Sequence, residues 1–558
     1  MHRRLPWVTA AATPLASVTL AVATLAGATL AVAPDPQRSA PRLVVFITVD
    51  QMRADYIDRY GHQWTGGLRR IVDAGARFAR AAYPYGGTVT CPGHATVSTG
   101  TYPSSHGMVG NEWLDAPSRR MVRCTHDPDA TPVPFGGGIG REFHSPRNLR
   151  RPTFADELRR QVRQPPRVVS VALKPRSAIM LAGRGGPGTI AVWEEDAGTW
   201  ASSSAYTKTP WPAVDAFVRA HPMTADYGAV WTRLLAAEAY SGADDAPGEA
   251  SPVPWDRTFP HVLESPTGRP DGVFVTAWER SPWSDAYVAA LALAVARAEK
   301  LGSRADATDV LAMSFPAVDL VGHEFGPSSH EVQDVLVRLD RQLAAVLEWL
   351  DTTVGRANYV LALASDHGVA RLPEESLRLG LDAGRLSSTV IQEVVERTLV
   401  EELGPGPYPT AYANLNLYLH PDVARALGTR PAVVQAVKRA LLATAGVGRV
   451  YGREEIARDN VAADPVLAAW RLSLVPDRTG DFIVVPKVNW LFRSTGTTHG
   501  SPHEYDQRVP LVLVGAGVRP GRYDTAASPA DIAPTLASLV GIRMPRAEGR
   551  VLTEALIR

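Results

Sequence analysis

Cysteine is nearly absent: Cys91 and Cys124 are the only two in 558 residues, which excludes a disulfide-built scaffold and allows at most one intrachain bridge. Sequence carries no distance, so whether these two are bonded is open at this stage. An excess of charge of either sign is also missing. The formal net charge is +1, which excludes the broad basic field of a dedicated nucleic-acid binder, so no nucleic-acid partner is expected and any positive charge that matters is local. No internal repeat, heptad run or low-complexity tract interrupts the mature chain, which excludes solenoids and coiled coils. One long uncharged run exists, and it is N-terminal. His2-Arg3-Arg4 precede an Ala-rich stretch through Ala33, and residues 1–33 read as a secretory signal with Ala26-Gly27-Ala28 as a small-residue cleavage site. An uncleaved anchor is the alternative, since the run is long enough to span a bilayer. No cysteine ends it, which removes a lipoprotein anchor. The expected location is periplasmic or secreted, with a membrane partner only if the segment is retained.

What is present is a set of apolar runs, each followed by chemically useful residues. Leu43-Val44-Val45-Phe46-Ile47 leads to Asp50, Val168-Val169-Ser170-Val171-Ala172-Leu173 leads to Lys174-Pro175-Arg176, and Tyr359-Val360-Leu361-Ala362-Leu363-Ala364 leads to Asp366-His367-Gly368. Open α/β sheets assemble their sites at the carboxyl ends of strands, so these residues are candidates for one site. Asp319 and His323 are four apart and share a face if the turn between them is helical. His499 lies in Gly496-Thr497-Thr498-His499-Gly500. Thr90-Cys91-Pro92-Gly93-His94 reads as the entry to a helix running through Ser98, and a helix start directs free N–H groups toward a phosphate. A threonine hydroxyl is a poor nucleophile unless something lowers its pKa, and metal ions held by carboxylates and imidazoles do so. Taken singly, each residue has a bland reading. Asp50 is a turn or cap, Thr90 an N-cap, Asp319 and His323 a cap and a solvated histidine, Asn111 after Gly110 a turn residue, and Lys174 with Arg176 a solvated charge pair. Taken together they point to a two-metal hydrolase. The i,i+2 spacing of Lys174 and Arg176 would put both on one face of an extended segment, as two clamps on one anion require.

The ordered series Phe46-Ile47-Thr48-Val49-Asp50, Thr90 to His94, His106-Gly107-Met108-Val109-Gly110-Asn111, Asp319 to His323, Asp366-His367-Gly368 and His499-Gly500 resembles the alkaline phosphatase superfamily of metalloenzymes. Within it, the chain is most similar to the zinc-dependent alkaline phosphatases that have a Thr nucleophile and a Lys-x-Arg pair and lack an extra magnesium site, relatives of the nucleotide pyrophosphatase/phosphodiesterases. The resemblance implies an α/β fold with an alkaline-phosphatase-like core, a largely parallel sheet flanked by helices, and inserted subdomains, all within a catalytic domain over residues 41–558. It implies two Zn2+ ions, one held by Asp319, His323 and His499 and the other by Asp50, Asp366 and His367 with Thr90 coordinated there. It further implies small-molecule phosphate monoesters as substrates, a phospho-threonine intermediate on Thr90, and Asn111, Lys174 and Arg176 as binders of the phosphoryl oxygens. The related sulfatases carry Cys-x-Pro-x-Arg, whereas here Thr90 takes the first position and His94 the last, which argues against a sulfatase. A phosphodiesterase or nucleotide pyrophosphatase would share every metal ligand, and the Lys-x-Arg pair argues against it. A non-catalytic zinc-binding envelope protein would have no reason to keep Thr90 beside the whole ligand set.

Between the motifs, Ser328 and Ser329 precede an amphipathic helix with Val332, Val335, Leu336, Leu339, Leu343, Val346, Leu347 and Leu350 on one stripe. Two stretches carry no ligands and read as insertions: 190–300, rich in Trp, Pro and Ser, and 370–490, an α+β subdomain. The latter has a strand candidate over 411–419, a helix over 432–443 and a strand over 447–451.

Overall fold

Residues 40–557 are described by the computed structural model, apart from 116, 196, 197, 251, 407 and 459–462; the N-terminal segment 1–33 lies outside the described residues. The three apolar runs form the strands Leu43–Val49, Val168–Ala172 and Tyr359–Ala364, and every residue in them is buried. Continuous rather than alternating burial is what a parallel strand covered on both faces requires. A fourth strand, Asp309–Phe315, equally buried, lies between the first two of these.

These strands are the centre of a 10-stranded sheet. Its order is Gly521–Ala527, Ala76–Ala81, Leu511–Gly515, Tyr359–Ala364, Leu43–Val49, Asp309–Phe315, Val168–Ala172, Thr189–Glu195, Thr199–Ser203 and Pro132–Pro134. The stretch from Tyr359–Ala364 to Thr189–Glu195 is parallel throughout, and antiparallel strands flank it on both sides. The largely parallel sheet inferred from sequence is therefore present. Side chains leave a strand alternately to its two faces. Leu43, Val45, Ile47 and Val49 accordingly pack with the helices Pro282–Ala298 and His330–Trp349, whereas Val44 and Phe46 pack with Phe154–Gln161 and Ile532–Leu539. Ser329 caps His330–Trp349 by accepting from the Val332 N–H at 3.2 Å, and the stripe read from sequence is buried against the sheet.

The structure corrects two readings. Residues 190–300 are not an insertion from end to end, because Thr189–Glu195 and Thr199–Ser203 are strands of the central sheet and Pro282–Ala298 covers it. The Trp and Pro content of the stretch hid the strand Ile190-Ala191-Val192-Trp193, whose side chains are all buried. The strand expected over 411–419 is a hairpin, Pro409–Ala413 with Asn416–Leu419. Its turn residues Asn414 and Leu415 have φ of 49° and 64°, the paired positive values that a tight two-residue turn needs. This hairpin belongs to a 4-stranded antiparallel sheet with Phe482–Pro486 and Val447–Gly452. The helices Ser388–Leu403 and Pro431–Leu442 pack against that sheet in an apolar cluster of their own. No helix among the described residues is long and apolar enough to cross a membrane.

Candidate active site

Four adjacent parallel strands deliver charged residues to one place. Asp50 follows Leu43–Val49, Lys174 lies just past Val168–Ala172, and Asp366 and His367 lie just past Tyr359–Ala364. Asp319 sits in the first turn of the helix Ala317–Phe325, directly after Asp309–Phe315. That helix makes the Asp319 and His323 spacing functional: His323 Nε2 is 3.2 Å from Asp319 Oδ1. Asp50, Asp366 and His367 are wholly buried.

Two groups of ligand-type atoms converge there, Asp50, Asp366 and His367 in one and Asp319, His367 and His499 in the other, with the atoms of each group within 4.8 Å of one another. His367 belongs to both, and its ring stacks on His499 at 3.5 Å between centroids. His323 stands at the edge of the second group, through its contact with Asp319. A shared orientation runs through the three imidazoles. His323, His367 and His499 use Nδ1 on the carbonyls of Thr497, Gly368 and Thr88 at 2.8, 3.0 and 2.9 Å. A carbonyl only accepts, so each Nδ1 is the N–H donor and each Nε2 is turned inward, as a backbone carbonyl on Nδ1 aims a metal-ligating imidazole.

The donor set fits a divalent cation. Asp50 Oδ1, Asp366 Oδ2 and His367 Nε2 are buried without a hydrogen-bond partner, although His367 Nε2 comes within 3.3 Å of Asp50 Oδ1. Buried polar atoms are almost always satisfied, and a cluster of exceptions calls for an ion. Carboxylate oxygen with imidazole nitrogen suits zinc. The electrostatics agree with a site built for positive charge. Burial raises the pKa of Asp50, and the neighbouring Asp319 and Asp366 raise it further. Burial also opposes ionisation of Asp319, but Lys174 and His323 outweigh it and hold that carboxyl well below its ordinary range. Burial works against the charged form of His367 too, yet Asp366 and Asp50 lift its pKa to about 9. His499 is driven well below its ordinary value by burial and by the neighbouring His367 and His323.

Lys174 supplies the fixed cation. Its ammonium pairs with Asp50 and, at 2.5 Å, with Asp319 Oδ2. The extended arrangement inferred for Lys174-Pro175-Arg176 is wrong: Pro175 starts the helix Pro175–Ala182, Lys174 is its N-cap and Arg176 lies in its first turn. Proline suits the first helical position because its fixed φ is already helical and its missing N–H is not needed there. Arg176 Nε is buried without a partner.

Thr90 opens the buried helix Thr90–Thr99, but Val89 is the N-cap, so the capping role open to Thr90 from sequence is not the one it has. Neighbours on both sides of Thr90 touch the donor groups. The Thr88 carbonyl accepts from His499, and His94 Nδ1 lies 3.2 Å from Asp366 Oδ2. A Cβ at Gly93 would stand 2.2 Å from the Asp366 carbonyl oxygen, so only glycine lets the helix approach this closely. The Cys91 N–H donates to Asn111 Oδ1 at 2.8 Å, which leaves the Asn111 amide nitrogen as a donor. Two residues of the site escaped the sequence reading. His94 had no role assigned, although its ring reaches Thr90 O, Thr48 Oγ1 and Ser314 Oγ at 3.0, 3.0 and 2.8 Å; its position four after Thr90 was the available signal. Gln51, at φ 65°, donates from Nε2 to Asp319 Oδ1 at 2.6 Å and from its backbone to Asp366 Oδ1 at 3.1 Å. Its only signal was adjacency to Asp50.

Cys91 and Cys124 form a disulfide, which ties the start of the Thr90 helix to the strand pair that follows Asn111. With a sequence separation of 33, the double variant Cys91→Ser/Cys124→Ser is expected to lose about 3–4 kcal/mol in urea unfolding. A loss below about 1 kcal/mol would mean that the bond does not constrain the unfolded chain.

Residues 44–508 match the type I phosphodiesterase/nucleotide pyrophosphatase family. The chain belongs to this family. Alkaline phosphatase PafA of Elizabethkingia meningoseptica is 31% identical over 534 residues, covering 93% of this chain and 95% of that protein. Alkaline phosphatase PhoV of Synechococcus elongatus is 30% identical over 531 residues, covering 92% and 93%. The crystal structure of PafA superposes with a TM-score of 0.85 at 29% identity, over 93% of this chain and 99% of that one. This family member thus shares the alkaline phosphatase fold along nearly its whole described length.

Proposed function

We propose that the protein is an exported, zinc-dependent alkaline phosphatase that hydrolyses phosphate monoesters through a phospho-threonine intermediate on Thr90. One observation carries the reading: two donor groups sharing His367 lie against the amino end of the helix that Thr90 opens. Asp50, Asp366 and His367 would hold one zinc and Asp319, His323 and His499 the other; when bound, such ions act as Lewis acids that lower a hydroxyl pKa and stabilise charge on a departing oxygen.

The chain's own residues account for the rest. The Thr90 hydroxyl attacks phosphorus, the P–O ester bond breaks, and the alcohol leaves with a proton. Water then cleaves the phospho-threonine to return Thr90 and inorganic phosphate. The Asn111 amide nitrogen donates to one phosphoryl oxygen, and Lys174 and Arg176 match the remaining charge. Lys174 reaches the phosphoryl group from its place between Asp50 and Asp319, which its flexible stem permits.

The deciding test compares an aryl phosphate monoester with its methyl diester on the purified protein. Faster monoester hydrolysis is expected. A preference for the diester would favour the second reading, a phosphodiesterase, for which the family match over residues 44–508 speaks. The cationic pair gives a sharper version of the same test. A monoester carries one more negative charge than a diester, so Lys174→Ala and Arg176→Ala should each lower monoester kcat/KM by on the order of 10²–10³ and diester kcat/KM much less. Equal losses on both substrates would assign the pair to uniform binding.

A further inference from the structure

The site opens into a cavity of about 270 Å³ lined by both polar and aromatic side chains. Asn111, His323 and His499 line it together with Tyr412, Trp490 and Phe492, from the 370–490 region and the segment just after it. The volume is just below the ~300–1,000 Å³ usual for small-molecule pockets, enough for one ring system beside a phosphoryl group.

The aromatic wall is held in place. Trp490 donates its indole N–H to Asp382 Oδ1 at 2.9 Å. A Cβ at Gly384 or Gly446 would come within 2.7 or 2.3 Å of the indole, so two backbone segments press on the ring where no side chain fits. Phe492 and Tyr412 meet edge to face, with centroids 6.5 Å apart and planes at 61°. The Tyr412 hydroxyl is buried without a partner, one polar group in an otherwise apolar wall. The hairpin tip is fixed as well, because Asn414 Nδ2 donates to the Glu112 carbonyl at 3.2 Å, beside the Asn111 loop. Rings immobilised before binding lose little entropy when they stack on a ligand.

We propose that Tyr412, Trp490 and Phe492 form a subsite for a planar aromatic group carried by the leaving alcohol. The subsite lines the same cavity as His323 and His499, two of the residues proposed to hold a zinc. It would favour nucleoside monophosphates and similar ring-bearing esters over aliphatic ones. This inference rests on the monoester reading.

The test uses two esters of the same primary alcohol, adenosine 5′-monophosphate and ribose 5-phosphate, so that leaving-group chemistry is matched and only the base differs. The intact enzyme should show a higher kcat/KM for the nucleotide by about 5- to 100-fold, the range that base–aromatic stacking provides. Trp490→Ala and Phe492→Ala should each pull that ratio toward unity, mainly through KM, and Trp490→Phe should recover part of it. A ratio near one in the unaltered enzyme, or one that neither alanine variant moves, overturns the subsite alone. Turnover of neither ester overturns the monoester reading and the subsite with it.

Discussion

Thr90→Ala is expected to abolish turnover, by on the order of 10⁴-fold or more, while leaving the fold and the metal content intact. Fold and chemistry separate here because of where the residue sits. Thr90 is the first residue of its helix and Val89 is the cap, so alanine removes no capping hydrogen bond and is itself a strong helix former. The side chain is buried at 1% exposure, and the loss of a hydroxyl and a methyl there costs stability only modestly. Thr90→Ser should retain substantial activity, since either hydroxyl can attack. The measurements are kcat, metal per chain and thermal unfolding for each variant, with rapid-quench trapping of labelled phosphate on the unaltered enzyme. Cys91 is engaged in the disulfide, so the competing acceptor to watch is histidine. Label recovered on His94 or His499, or Thr90→Ala at near-full activity, would remove Thr90 from the mechanism.

How far the sequence foretold this site depended on the range over which each fact is decided. Strand positions were legible because continuous apolar runs such as Leu43–Val49 and Tyr359–Ala364 can be satisfied only in a doubly covered sheet. The pairing of Asp319 with His323 was legible because helical spacing is local. The hairpin at Asn414 and Leu415 was not, since Leu415 is an unusual residue at positive φ and the turn breaks what otherwise reads as a single strand. Nor was the behaviour of Lys174. Its i,i+2 relation to Arg176 suggested an extended pair, but Pro175 turns the chain into a helix and sends the ammonium between Asp50 and Asp319. The double membership of His367 depends on the register of Tyr359–Ala364 beside Leu43–Val49 and on the placement of the His499 loop. No local pattern encodes either.

The second large expectation concerns metal. Removing divalent ions with a chelator should abolish turnover, and zinc should restore it where magnesium does not, because mixed carboxylate and imidazole donors favour zinc. The protein should also become easier to unfold. Asp50, Asp319 and Asp366 are buried together, and the cations paired with them are Lys174 and, when protonated, the histidines. A bound ion at a hundredfold excess over its Kd adds about 2.7 kcal/mol to folding stability per site, and that increment is lost on chelation. Single variants should divide the donors. Asp50→Ala, Asp366→Ala and His499→Ala should each cost most of the activity. His367→Ala should lower zinc at the Asp50 and Asp366 position alone, because its Nε2 has a single lone pair to give. His323→Ala removes a residue from the edge of one group and should lower zinc at that position alone. Zinc per chain after dialysis, read alongside the melting temperature, distinguishes these outcomes without depending on turnover. Full zinc retention by His367→Ala would remove His367 from the ligand set, and full activity in metal-free protein would exclude metal-assisted attack by Thr90.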